Sequence, residues 1–125
     1  MKHYEYLCDE DAFCILALLK AIKASGKVTH IKYEDPECEY DPITFTVDQI
    51  DEFMDNADGG LEEFDIGLYN RDCAGNEKYL GGFYIVPDGD YTTICDYVAN
   101  DLCESIAAVA DAEIDMEEKR TRYMR

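Results

Sequence analysis

From Asp9 to Ser25 the chain reads DEDAFCILALLKAIKAS, apolar on nearly every side between Ala12 and Leu19, which predicts a central, buried helix. Asp9, Glu10 and Asp11 favour the positive end of its dipole and Lys20 and Lys23 the negative end, while Gly26 suits the left-handed turn that stops it. Over Lys27–Tyr33, Val28, His30 and Lys32 alternate with Thr29, Ile31 and Tyr33, the pattern of a strand with one wet side. The stretch Glu34–Pro42 is a loop broken by Pro36 and Pro42, and Ile43–Phe45 makes a short edge strand.

Thr46-Val47-Asp48-Gln49 has the form of a capping box opening a second helix, which ends near Gly59-Gly60. Its faces separate: Val47, Ile50, Phe53, Met54 and Ala57 are apolar, while Asp48, Asp51, Glu52, Asp55 and Asp58 fall at helical spacing on the other side. Phe64–Asn70 and Lys78–Val86 alternate as paired strands joined by a polar turn, with Gly81-Gly82 marking a bulge or a close backbone approach. A long last helix is predicted over Tyr91–Arg120, with Asp90 as N-cap. Its expected buried stripe is Ile94, Val98, Leu102, Ile106, Val109 and Met116, and its acidic face Asp101, Glu104, Asp111, Asp115 and Glu118. The order α-β-(β)-α-β-β-α describes an α+β domain spanning residues 1–125, three helices packed on a small, mainly antiparallel sheet, with a short basic C-terminal tail at 119–125.

Composition adds a lopsided charge to this frame. The formal net charge is -18 over 125 residues. Between Lys32 and Lys119 only Arg71 and Lys78 are basic, and from Tyr33 to Asn70 there is no Lys or Arg at all. A hydrophobic content of 47% nevertheless argues for a packed core rather than a disordered acidic tail. The cysteines are not needed as staples at this length. Cys8, Cys14, Cys95 and Cys103 lie in or beside apolar helical sequence and only Cys38 and Cys73 in polar loops, so reduced thiols in a cytosol are expected, with a Cys38 to Cys73 disulfide as the alternative. Glu5, Asp9, Glu10 and Asp11 precede the first apolar stretch, where an export signal wants positive charge, and Lys20 and Lys23 interrupt that stretch too soon for it to span a bilayer.

The residue types needed for catalysis are sparse. Ser25 and Ser105 sit in no nucleophile elbow, His30 has no sequence partner, and Gly59-Gly60 and Gly81-Gly82 lack the spacing of a phosphate loop. Carboxylate pairs are too numerous to single one out. Asp55-Asn56-Ala57-Asp58-Gly59-Gly60 begins like a calcium loop, but that register puts Ala57, Gly59 and Ile66 where oxygen ligands belong. No catalytic residues, no metal site and no cofactor are therefore expected.

The carboxylates themselves are the remaining chemistry. A surface this negative does not hold DNA or RNA, but it suits whatever does, because an arginine fork accepts a carboxylate as it accepts a phosphate. Helix side chains three or four residues apart are about 5–6 Å from one another, of the same order as the separation of successive phosphates. The expected partner is thus a nucleic-acid-binding protein with a basic groove, occupied by a charge mimic of the phage anti-CRISPR or anti-restriction kind, acting in the cytoplasm without touching nucleic acid or membrane, as a monomer or a dimer. The first patch is the loop with Glu34, Asp35, Glu37, Glu39 and Asp41 together with Asp48, Asp51, Glu52, Asp55 and Asp58, and the second is the acidic face of the last helix. Tyr33, Tyr40, Tyr69 and Tyr97 would supply the less salt-sensitive part of the contact. Competing readings are an acidic partner protein, such as a toxin-neutralising immunity protein or a secretion chaperone, and a merely solvated acidic surface.

Overall fold

The first apolar stretch forms α1, Asp9–Ser25, in the computed structural model, which describes residues 3–123. Gly26 closes the helix in the left-handed conformation, at φ 68°, where a side chain would be strained. The remaining elements are β1 (His30–Glu34), β2 (Ile43–Thr46), α2 (Ile50–Ala57), β3 (Phe64–Arg71), β4 (Glu77–Ile85), β5 (Ile94–Tyr97) and α3 (Asp101–Tyr123). The strands form one sheet in the order β2-β1-β3-β4-β5, every neighbouring pair antiparallel. The chain is therefore an α+β fold with three helices and a five-stranded antiparallel sheet.

Strand alternation assigns the two sides of the sheet. Ile31, Tyr33, Phe64, Ile66, Leu68, Phe83 and Ile85 are buried and share one core with Ile15, Leu18, Leu19 and Ile22 of α1 and Phe53 and Met54 of α2. Tyr33, Phe45, Phe53 and Phe64 meet there at ring separations of 4.6–6.1 Å. Gly81 shows how closely α3 approaches β4: a Cβ there would lie 2.6 Å from Cys103 Sγ, and its φ of 126° suits only glycine. The bulge predicted at this glycine pair falls between Leu68↔Gly81 and Tyr69↔Tyr79, leaving Leu80 as the extra residue.

The largest departure from the sequence reading lies between Tyr91 and Asn100. The predicted helix does not start there; Ile94–Tyr97 pairs with the edge of β4, and α3 begins only at Asp101. Thr92, Thr93, Ile94, Tyr97 and Val98 are β-branched or aromatic, and a free β4 edge offers them backbone partners that a helical turn would not. Asn100, not Asp90, caps the helix, its Oδ1 accepting the Cys103 N–H at 2.8 Å while its Nδ2 donates to the Leu80 carbonyl at 2.9 Å. The buried stripe shifts accordingly to Cys103, Ile106, Ala107, Ala110 and Ile114. Ile94 lies in β5 instead, and Val98, Val109 and Met116 are exposed. The capping box before α2 forms in part: Gln49 Oε1 accepts the Thr46 N–H at 2.9 Å, while the helix itself starts at Ile50.

Asp11 clasps the fold together. Buried in the first turn of α1, it accepts hydrogen bonds from Thr93 Oγ1 at 2.8 Å, Cys8 Sγ at 3.0 Å and the Gly89 N–H at 3.2 Å. The segment that turns into β5 is thereby tied to the central helix, whose amino end favours the negative charge.

Candidate interaction surface

The acids of the first patch reach the surface through two neighbouring segments. Asp35 spends its carboxylate inside the loop, accepting the N–H groups of Glu37, Glu39 and Tyr40 at 3.0, 2.9 and 3.2 Å, and Cys38 sits in the left-handed region at φ 57°. This tight turn leaves Glu37, Glu39 and Asp41 exposed. β2 then carries the chain along the sheet edge into α2, whose outward side presents Asp51, Glu52 and Asp55. Loop and helix meet across a groove lined by Asp35, Tyr40, Asp41 and Ile43 on one hand and Asn56, Gly60 and Leu61 on the other.

Besides Asp35, further predicted members of this patch have other engagements. Asp58 holds the N-terminal segment, accepting the N–H groups of Glu5, Tyr6 and Leu7 at 2.9, 2.7 and 2.9 Å, and Asp48 pairs with Lys23 at 2.9 Å. Asp58 is consequently a structural anchor, and the stretch that began like a calcium loop is the end of α2.

The second patch divides along α3. Asp101 and Glu104 are exposed in the first turn. Further on, Asp111 stays outward, its carboxyl raised above its ordinary value by partial burial. In the last turns the basic tail, helical as far as Tyr123, pairs with its own helix: Lys119 with Asp115 at 3.2 Å, Arg122 with Glu118 at 3.1 Å, and Arg120 with Glu117. Such exposed pairs add little stability, but they cancel the charge that Asp115 and Glu118 would offer a partner. Met124 and Arg125 of the tail lie outside the described residues.

A third acidic group, on the sheet face opposite the core, escaped the sequence reading except for Glu34. Register places Glu34 beside Asp65, Gly67 beside Gly82, and Tyr84 beside Asp96, around a groove of about 280 Å³. Tyr69 donates its hydroxyl to Glu34 at 2.8 Å and Tyr84 donates to Glu63, which pushes the Tyr84 phenol up to about 12. Burial, then the charges of Glu34 and Glu63, raise the Asp65 carboxyl. At the other end of this face the charges are balanced. His30 stacks on Tyr69 and meets Glu77 Oε1 through Nε2 at 2.5 Å, and Lys32 reaches Glu77 Oε2 at 2.9 Å, holding the Glu77 carboxyl below its ordinary value. Tyr69 and Glu77 are why His30, on the wet side by alternation, is buried. Strand alternation alone hinted at this group through Asp65, Gly67 and Tyr69, but which strands stand side by side is not a local property.

Other chemistry stays dispersed. All six cysteines are free; Cys14 and Cys103 are buried, whereas Cys38, Cys73 and Cys95 are exposed, the last on β5 rather than in a helix. Burial raises the Cys8 and Cys14 thiols to about 11, far from a reactive thiolate at neutral pH. Among the described residues no three His, Cys, Asp or Glu side chains gather as metal ligands, and no helix is long and apolar enough to cross a membrane. No family model, curated protein or solved structure matches this chain.

Proposed function

We propose that this protein acts by binding, as a polyanion-like inhibitor that occupies the basic nucleic-acid-binding surface of another protein. The observation that carries this reading is the meeting of the acidic loop and α2 across one groove, in a part of the chain where residues 33–70 contain no Lys or Arg. Glu37, Glu39, Asp41, Asp51, Glu52 and Asp55 are exposed there, whereas Asp115, Glu117 and Glu118 of α3 are paired with its own basic tail. The first patch is therefore the working surface, with Asp101 and Glu104 as a secondary one. Arginines placed to grip phosphates would find carboxylates instead, with association steered by long-range charge and weakened by salt.

The test is to recover partners from the native host at low salt, then ask whether each salt-eluted protein loses its DNA or RNA when the purified chain is added. Displacement by the wild type, and at least tenfold weaker displacement by the Asp51→Lys, Asp55→Lys double variant, is expected. Partners that keep their nucleic acid in the presence of saturating protein would overturn the reading.

A further inference from the structure

Two carboxylates of the first patch, Asp35 and Asp41, border a surface of different chemistry. Tyr33, Tyr40, Ile43 and Leu61 supply apolar lining to the groove between loop and α2, which measures about 220 Å³, with Ile43 beside Tyr33 in the strand register. Tyr40 is 66% exposed and Ile43 43%, so both leave apolar area uncovered. The groove is preformed. Tyr33 accepts the Leu61 N–H at 2.7 Å, and a Cβ on Gly60 would stand 2.4 Å from that hydroxyl and 2.9 Å from the Asn56 carbonyl, so only glycine lets the backbone lie this close. Asn56, in the lining, has its Nδ2 without an acceptor.

We propose that this groove seats one apolar side chain, of Leu, Ile, Met or Phe size, carried on an Arg- or Lys-flanked segment of the partner protein. The inference rests on the preceding reading that this is the partner-binding surface, and it names what that surface selects. Size agrees, since an apolar cavity of about 150 Å³ already takes a benzene ring. Charge agrees, because the walls come from segments without a basic residue, with Asp41 in the lining and Glu52 and Asp55 exposed on the helix that supplies Asn56. Exposed charge steers encounter, whereas a desolvated apolar anchor at the centre of an interface carries much of the binding energy.

Two labelled peptides of equal charge, Arg-Arg-Leu-Arg-Arg and Arg-Arg-Ser-Arg-Arg, separate the two contributions by fluorescence anisotropy at low ionic strength. Full burial of the leucine should make its peptide about tenfold or more tighter than the serine one. In the Tyr40→Ser, Ile43→Ser double variant, whose changes fall on exposed positions, the ratio of the two affinities should fall to about one, so that the leucine advantage vanishes. Equal affinity of both peptides for the wild type would overturn the groove while leaving the charge reading intact. A leucine advantage surviving in the double variant would also overturn it, because the anchor would then sit elsewhere. Failure of both peptides to bind at low salt would sink the groove together with the charge reading beneath it.

Discussion

Replacing Asp11 should reveal how much the fold depends on one buried carboxylate. Its contacts with Thr93 Oγ1 at 2.8 Å and the Gly89 N–H at 3.2 Å hold the segment before β5 against α1. Hydrogen bonds to a charged group contribute about 1.5–3 kcal/mol each, and removing the buried charge returns part of that sum by sparing its desolvation. Asp11→Ala should then cost about 3 kcal/mol, which for a chain of this size lowers Tm by roughly 10 °C. Thr93→Val leaves the carboxylate one donor short and should cost about 2 kcal/mol. Because Thr93 is fully buried and keeps a second acceptor in the Asp90 carbonyl at 3.0 Å, the double variant should cost little more than Asp11→Ala alone. Urea and thermal unfolding followed by circular dichroism measure all three, and the double-mutant cycle isolates the coupling. An Asp11→Ala variant within about 0.5 kcal/mol of wild type, or strictly additive losses, would refute the clasp.

Asp65, raised by burial and by Glu34 and Glu63, titrates above its unfolded value, so its ionisation works against folding: its favourable contribution is full at acid pH and lost as pH rises through the raised value. Asp65→Asn should raise Tm at pH 7, and the gain should disappear near about pH 3, where Asp65 is protonated in both states; a gain unchanged with pH would contradict the assignment. Gly81→Ala, which would drive a Cβ to 2.6 Å from Cys103 Sγ at φ 126°, should destabilise by about 3 kcal/mol or more, whereas Gly75→Ala, at φ 86° in open space, should cost about 1 kcal/mol; urea midpoints rank the two. An aromatic disulfide reagent at neutral pH should modify Cys38, Cys73 and Cys95 promptly and Cys14 and Cys103 only on unfolding, because the latter two are sealed in the core; peptide mapping identifies the sites.

Local signals along the chain foretold what local forces decide. α1 runs over the predicted Asp9–Ser25 because acidic first-turn residues, an all-round apolar body and Gly26 act within a few residues of one another. The two faces of α2 and the hairpin of β3 and β4 were legible for the same reason. The candidate surface was legible in part. The run without basic residues from 33 to 70 marked the loop and α2, but not that they border a groove with an apolar lining.

Only tertiary structure decided the rest. Ile94–Tyr97 is a strand because β4 offers an unpaired edge, a fact no window around those residues contains. The acidic face joining Glu34, Asp65 and Asp96 exists because β1, β3, β4 and β5 stand side by side in a particular register. Charge count alone likewise hid the spending of carboxylates within the molecule: Asp11 on Thr93, Asp35 on its loop, Asp58 on the N-terminal segment, and Asp115 and Glu118 on the basic tail. Helix periodicity and turn chemistry are short-range properties of the chain, whereas strand pairing and the fate of each charge depend on residues brought together by folding.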